Sequence, residues 1–403
     1  MTALDLPLTI VADDLTGAAD AVGAHGAHYR TSIVFDAGAA DQDADIVAID
    51  TATRYAAPDE ARQTVASAFA DALRAGRSVF KKVDSLLRGN IGAEIAAAAS
   101  AMTGQEARSA FVLFAPAYPG VGRTTQHGVV HVGGTVASRC PFGGDAVRAI
   151  GADGVRAQRV PAALTLDALV VRLEALHHAG LDGAVIDAAS DEDLALVVAA
   201  NERLGFPTLL AGSGGLAGHV LPRRDSSRTP TTPAPAPGAA RVLTVVGSYS
   251  DLARAQIDRL VDRGARHLQV PVSREAGTGL PTDVHHMHED LVLTPDLAAP
   301  VDTGNALRVA ASVAAAVVDI AEPFDAIVLT GGETARAVID ALGVRTLRVL
   351  GELEPGVVVS SAGAARPLLV TKAGAFGDAE TLARAADHLR TQPHLTSQEM
   401  RTA

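Results

Sequence analysis

The chain has 403 residues, 48% hydrophobic and 20% charged, a globular balance on a length that exceeds one ordinary core, so two domains are expected. A net charge of -12 argues against a nucleic-acid partner, because phosphate backbones are bound by an excess of Lys and Arg. Cys140 is the only cysteine, which excludes an intrachain disulfide framework, and the absence of Trp with 3% aromatics disfavours stacking platforms for bases. The amino terminus lacks a signal-type apolar core and no apolar stretch is long enough to span a bilayer. The expectation is a cytoplasmic protein without a membrane partner.

The first apolar run, Leu8 to Ala12, reads as a strand and leads through Asp13-Asp14-Leu15-Thr16-Gly17 into a small-residue helix. Two adjacent carboxylates at a strand end repel each other, so Asp13 and Asp14 are candidate partners for a polyol, a metal ion or a cation. The bland alternative is an Asp N-cap with a solvated neighbour. Further strand-like runs stand at Ser32 to Phe35, Ile46 to Asp50, Val79 to Val83, Ala110 to Ala115, Ala184 to Ile186 and Thr208 to Leu210. Helical patterns lie at Asp59 to Leu73, Leu166 to His178 and Asp191 to Leu204. This alternation implies a mainly parallel sheet covered by helices.

Between a strand and an Ala-rich helix from Ile91 to Ala101 stands the segment Lys81-Lys82-Val83-Asp84-Ser85-Leu86-Leu87-Arg88-Gly89-Asn90. It combines cations, a carboxylate, a hydroxyl and glycine, as an anion site requires. Arg88 offers a planar fork that fits a carboxylate or phosphate, and the following helix adds free N–H groups. A structural Asp84–Arg88 ion pair is the alternative. The loop from Ala115 to Gly128 carries Arg123, a candidate to complete a polyol or acid pocket; the alternative is a surface loop opening a hairpin near Val129 to Val136. Ser213 in Ala211-Gly212-Ser213-Gly214-Gly215 is no nucleophile elbow, because Ala211 stands where a glycine is needed.

Closely spaced prolines from Pro222 to Ala240 mark an extended interdomain linker. The expected organisation is a domain over 1–222, a Pro-rich linker over 223–240 and a second α/β domain over 241–403. In the second domain, strands are expected at Val242 to Val246, Leu268 to Val270, Leu291 to Leu293, Ala326 to Leu329, Leu347 to Leu350 and Leu368 to Val370. Helices are expected at Asp251 to Arg263, Asn305 to Ile320, Thr334 to Leu342 and Asp378 to Leu389. Three strand ends carry turns: Gly247-Ser248, Gly331-Gly332-Glu333-Thr334 and Lys372-Ala373-Gly374. Glycines let the backbone approach a phosphate and helix N-termini donate to it, so three such turns point to a nucleotide. No Walker A spacing and no dinucleotide fingerprint are present. His285-His286-Met287-His288 does not match a helical zinc motif and reads as a solvated loop.

With these segments in view, the chain resembles the four-carbon acid sugar kinase family over nearly its full length. The likeness rests on Asp13 to Ala18, Lys82 to Asn90, Ala115 to Pro119, Gly122 to Thr125, Gly247-Ser248, Gly331 to Thr334, Gly351 to Gly356 and Lys372 to Asp378, in that order. Two departures are Leu86, where a threonine is usual, and Ala373-Gly374-Ala375, where Pro-Gly-Gly is more familiar. The resemblance implies an ATP- and Mg2+-dependent kinase acting on the terminal (C4) hydroxyl of D-threonate, D-erythronate or 3-oxo-tetronate. It implies two α/β domains with the active site in the interdomain cleft, the sugar acid on the first and the nucleotide on the second. Arg88, with Ser85 and Lys82, is then expected to hold the substrate carboxylate, Asp13 and Asp14 its hydroxyls, and Arg123 to complete the substrate pocket. Ser248, Gly331, Gly332, Glu333, Thr334 and Gly374 are expected to line the ATP site, with Asp378, Asp14 or Asp84 as the base. The metal ligands, the stereoisomer and the oligomeric state are left open, a homo-oligomer among them. A non-catalytic sugar-acid sensor and a nicotinamide-dependent dehydrogenase are the alternative functions.

Overall fold

A computed structural model describes residues 7–35, 43–103, 109–162, 164–220, 241–271, 284, 289–296, 306–363, 367–374 and 376–391. The expected linker, the histidines at 285, 286 and 288, and the chain after 391 lie outside these residues. The chain divides into two compact units, Met1–Val22 with Arg30–Arg228, and Gly23–Tyr29 with Thr229–Ala403. Among the described residues no helix is long and apolar enough to cross a membrane.

The first unit runs β1 (Leu8–Ala12), α1 (Leu15–Val22), β2 (Thr31–Val34), β3 (Ile46–Asp50), α2 (Pro58–Arg74), β4 (Ser78–Lys82), α3 (Ile91–Thr103) and β5 (Phe111–Ala115). A three-stranded antiparallel insert follows, β6 (Arg123–Gln126), β7 (Val129–Val132) and β8 (Thr135–Val136). The unit closes with α4 (Ala146–Gly151), β9 (Ala157–Val160), α5 (Leu166–His178), β10 (Gly183–Ile186), α6 (Asp191–Arg203), β11 (Thr208–Gly212) and α7 (Gly214–Ala217). The main sheet has the order β2-β3-β1-β4-β11-β5-β10-β9, and every pairing is parallel. Its inner strands are continuous apolar runs because both faces are covered. Phe69, Phe114, Ile95 and Val112 lie in the core under α2, α3 and α4. The other face carries α1, α7, α6 and α5, each packed on the next.

The register sets the site. Ala12 is level with Asp50 and Lys82, Lys82 with Gly212, and Gly212 with Ala115. The loops that leave these strand ends therefore emerge side by side. After β1 the chain builds outward through β2 and β3 on one side and then crosses to β4 on the other. That is a topological switch point, where open α/β sheets bind ligands.

The second unit runs β12 (Val242–Val246), α8 (Asp251–Asp262), β13 (Arg266–Val270), β14 (Leu291–Pro295), α9 (Ala306–Ile320), β15 (Ala326–Thr330), α10 (Gly332–Ala341), β16 (Thr346–Glu354), β17 (Val357–Ser361), β18 (Leu368–Lys372) and α11 (Thr381–Thr391). Its sheet order is β13-β14-β12-β15-β18-β17-β16, parallel through β18 and antiparallel for β17 and β16. The core on one face joins Val242, Val246, Val328 and Val370 to α8 and α11, and α9 packs against α10. Three differences from the sequence reading have simple causes. The edge strand β9, Ala-Gln-Arg-Val, is half exposed and has no apolar run to betray it. Residues 351–356 extend β16 into a hairpin with β17, turning at Gly356 with φ of 77°. The helix expected from Asp378 starts at Thr381, because the Thr381 hydroxyl accepts from the Asp378 N–H at 2.9 Å and holds that residue in the preceding turn.

Candidate active site

In the first unit the strand ends deliver a buried polar cluster. Arg54, four residues beyond β3, forks onto Asp13: Nε donates to Oδ2 at 2.8 Å and Nη2 to Oδ1 at 3.0 Å. Its Nη1 donates to Asp14 Oδ2 at 2.5 Å, and its Nη2 stands 3.8 Å from Asp84 Oδ1. The Asp14 carboxylate also accepts from the Thr16 hydroxyl at 2.6 Å and the Gly17 N–H at 2.8 Å, which fixes the start of α1. Arg88 forks onto Asp84 at 2.9 and 2.7 Å, while the N–H groups of Leu86 and Arg88 donate to Asp84 Oδ2 at 3.1 Å each. The ion pair that was the bland alternative for Asp84 and Arg88 is thus present. Arg88 remains 44% exposed through its side chain, so it is the cation of this cluster that solvent reaches.

Arg123, at the start of β6, is buried and donates to the Ser85 hydroxyl at 2.5 Å. Lys82 lies with Nζ 3.8 Å from Asp20 Oδ2, and the Tyr118 hydroxyl donates to Asp20 Oδ1 at 3.0 Å. Behind them Lys81 pairs with Glu94 at 2.8 Å, and Thr53 donates to the other Glu94 oxygen at 2.7 Å. Asp13, Asp14, Lys82, Asp84, Ser85, Arg88 and Arg123 are therefore brought together. Asp20, Arg54, Glu94 and Tyr118 were not foreseen, and Lys81, a cation of the expected anion segment, is paired with Glu94 instead. Asp20 had a signal, because it is a carboxylate on the helical face of α1 one turn beyond Gly17.

The loops are shaped for this. Ala52 and Leu87 both adopt positive φ, 53° and 61°, on either side of the cluster. Such residues carry a strain of about 1–3 kcal/mol each and cluster at functional sites. Ala52 is held by its N–H to Asp50 Oδ1 at 2.9 Å, and Leu87 by its N–H to the Asp84 carbonyl at 3.0 Å. Gly89, with φ of 90°, passes so close that a Cβ would stand 3.0 Å from Asp13 Oδ2.

Burial penalises every charge here, and the partners decide the outcome. For Asp13, burial pushes the carboxyl up, but Arg54, with Lys81 and Lys82, brings it below its ordinary value. For Asp84, burial is likewise overcome by Arg88 and Arg54, and the net shift is strongly downward. Asp20 moves the other way, because burial outweighs Lys82 and Tyr118 and raises it. Burial also raises Glu94 and lowers Arg123.

In the second unit the three expected turns converge. Gly331 has φ of 99° and lies against Gly247 and Ser248, within 3.7–3.8 Å of a Cβ placed there. A Cβ on Gly374 would meet Ser248 at 3.5 Å and Gly331 at 3.9 Å, and one on Gly247 would overlap Thr334. Ser248, Gly331, Thr334 and Gly374 are thus neighbours, with Gly332 and Glu333 opening α10. Asp378 lies in this unit beside α11, 66% exposed, in an ion pair with Arg384 at 2.9 Å that helps to lower its pKa. Ser213 is a helix cap, its hydroxyl accepting from Gly215 N–H and donating to the Ala117 carbonyl.

Among the described residues no group of three His, Cys, Asp or Glu side chains is placed to hold a metal ion. The oxygen donors at the three turns are one carboxylate, Glu333, and two hydroxyls, Ser248 and Thr334. This set suits a magnesium ion held mainly by nucleotide phosphates, which is the usual arrangement for that ion, with the chain lending one of these oxygens.

Residues 8–220 match a sugar-binding N-terminal domain, and residues 243–382 a nucleotide-binding C-terminal domain. A D-threonate kinase from Cupriavidus necator is 34% identical over 93% of this chain and 95% of its own length. A 3-oxo-tetronate kinase from Methylobacterium radiotolerans is 30% identical, covering 95% of this chain and 99% of its own. The solved structure of a Haemophilus influenzae protein shares the fold, with a TM-score of 0.68 at 20% identity over 95% of this chain and 100% of that one. The matches to both domains and the near full-length kinase relatives place the chain in the four-carbon acid sugar kinase family, phosphotransferases with an alcohol group as acceptor.

Proposed function

We propose that this chain transfers the γ-phosphoryl group of ATP to the C4 hydroxyl of a four-carbon sugar acid, with D-threonate the first substrate to test. The observation that carries the reading is the cluster at the switch point of the first unit, where the Asp13, Asp14 and Asp84 side chains are gathered by Arg54 and Arg88 beside Ser85 and Arg123. A sugar acid presents one carboxylate and several hydroxyls. Arg88, with Lys82, Ser85 and Arg123, supplies donors for the carboxylate, and Asp13 and Asp14 supply acceptors for the hydroxyls. The relatives named as kinases lend no support to a sensor or a dehydrogenase.

Phosphoryl transfer depends on in-line positioning and charge neutralisation more than on covalent chemistry. Ser248, Gly331, Gly332, Glu333, Thr334 and Gly374 would receive the nucleotide, and magnesium would bridge its phosphates and neutralise their charge. For the base we favour Asp14 over Asp84 and Asp378. An ionised carboxylate has about four acceptor positions. Asp84 already accepts from four donor contacts, as does Asp378. Asp14 accepts from three, which leaves one position for a substrate hydroxyl.

A coupled ADP-release assay over D- and L-threonate, D- and L-erythronate and their 3-oxo forms tests this. Turnover on one acid names the substrate. Silence on every acid while ATP still binds would remove the four-carbon acids, and absence of ATP binding would remove the kinase reading. Asp14→Asn should lower kcat about 100-fold or more, the usual range for a lost general base.

A further inference from the structure

Of the 34 lysine and arginine residues only Lys81, Lys82 and Lys372 are lysines. Lysine is ordinarily among the most exposed residues of a fold, yet these three are 0%, 3% and 0% exposed. The chain thus places arginine at its solvated cationic positions and lysine only at buried strand ends. Lys81 and Lys82 end β4 in the cluster of the first unit. Lys372 ends β18 in the second unit.

Its position is specific. Lys372 is level with Thr330 on β15, and Thr330 with Val246 on β12, so it shares one cross-strand row with the last residues before the Gly331 and Gly247 turns. Its Nζ donates to the Ala373 carbonyl at 3.1 Å, immediately behind the turn that carries Gly374. The Gly331 N–H donates to the Lys372 carbonyl at 3.3 Å and ties the second turn to the same residue. Beside it, Thr330 Oγ1 is buried without a hydrogen-bond partner among the described residues. The carboxylate that acts on Lys372 is Glu354; its Oε2 is taken by Arg384 at 2.7 and 3.1 Å, its Oε1 is buried without a hydrogen-bond partner among the described residues, and neither oxygen forms an ion pair with Nζ. No carboxylate among the described residues forms an ion pair with Nζ. Buried charges in proteins are ordinarily paired.

We propose that the counter-ion of Lys372 is the polyphosphate of the nucleotide, and that its ammonium, acting through the Ala373–Gly374 turn, positions those phosphates at the three glycine turns. The inference rests on the nucleotide reading of the second unit. An ammonium suits this place because it is a compact point charge with three rotatable donors, one of which meets the Ala373 carbonyl.

The test is calorimetric titration of ATP and AMP into the full-length wild-type protein and the Lys372→Met variant, with magnesium present and the thermal midpoint of each recorded. The variant should fold and bind ATP about tenfold to 100-fold more weakly, the range of a charge-assisted contact, with a smaller loss for AMP. Equal ATP affinity in variant and wild type overturns the proposal while leaving the kinase reading intact. Equal losses for ATP and AMP, or a lowered thermal midpoint, assign Lys372 to the fold alone and overturn it as well. A wild-type protein that binds neither nucleotide overturns the reading on which it rests.

Discussion

Arg54 and Asp13 are joined by two parallel hydrogen bonds, 2.8 and 3.0 Å long, with both side chains buried and 41 positions apart in the chain. The same guanidinium holds Asp14, and it stands within 3.8 Å of Asp84, so one cation serves three carboxylates. Burial lowers the pKa of Arg54 less than Asp13, Asp14 and Asp84 raise it, and it stays charged at any working pH. The acceptors proposed for the substrate hydroxyls therefore owe their orientation to a residue in a different loop.

Arg54→Met should be severely destabilising. It leaves Asp13 and Asp14 buried without their counter-ion, and removing one partner of a buried pair costs about 3–5 kcal/mol. Denaturant unfolding should show this as a lower midpoint. Arg54→Lys, which keeps the charge but cannot fork onto Asp13 and reach Asp14 together, should lie between the two and lose activity more than stability.

Asp84 links stability to acid. Its folded pKa is depressed below the ordinary 3.8, so the stability it contributes is complete above that value and is lost as the pH falls below it. Asp84→Asn should lower stability at pH 7 and flatten its dependence on acid below pH 4. Thermal midpoints measured down a pH series check both, and parallel curves for variant and wild type would contradict the assignment.

The sheets were legible because buried parallel strands are continuous apolar runs, as in Leu8 to Ala12 and Ala326 to Thr330, and their turns were marked by glycine. The Lys82 to Asn90 segment was legible for its density of charge. Arg54 was not, because it stands in a loop without a glycine signature and meets Asp13 only through the order β3-β1-β4, which no local pattern states. Gly23 to Tyr29 belongs with the second unit for a similar reason. Gly26 packs where a Cβ would stand 2.7 Å from Val349 Cγ1, more than three hundred residues away in sequence.

Arg123 separates the two substrates of the reaction. It is buried in the first unit, where its Nη1 donates to the Ser85 hydroxyl at 2.5 Å, and as a cation of this cluster it is placed to add a donor for the carboxylate of the sugar acid. Arg123→Met should raise KM for the sugar acid about tenfold or more, the scale of a charge-assisted hydrogen bond. KM for ATP should stay within about twofold, because a residue that acts on one substrate leaves the other's binding in place. Steady-state kinetics with each substrate varied in turn decide the point, and equal changes in both constants would place Arg123 in the scaffold.

Lys372 should cost the protein stability. Burial lowers its pKa from 10.5 to about 8, with Glu354 opposing the shift. A lysine whose folded pKa lies below its unfolded value binds fewer protons when folded, so stability rises with pH between about 8 and 10.5 and the full burden is present below 8. That burden is on the order of 3 kcal/mol, since each pH unit corresponds to about 1.4 kcal/mol. The lost hydrogen bond to the Ala373 carbonyl, about 1 kcal/mol, offsets part of the gain on removing the charge. Lys372→Met should therefore raise the thermal midpoint at pH 7, and the advantage should shrink as the pH approaches 10. A variant that is more stable yet binds ATP more weakly is the expected signature of a charge kept for its ligand, whereas a variant less stable at pH 7 would mean that the ammonium holds the turn together.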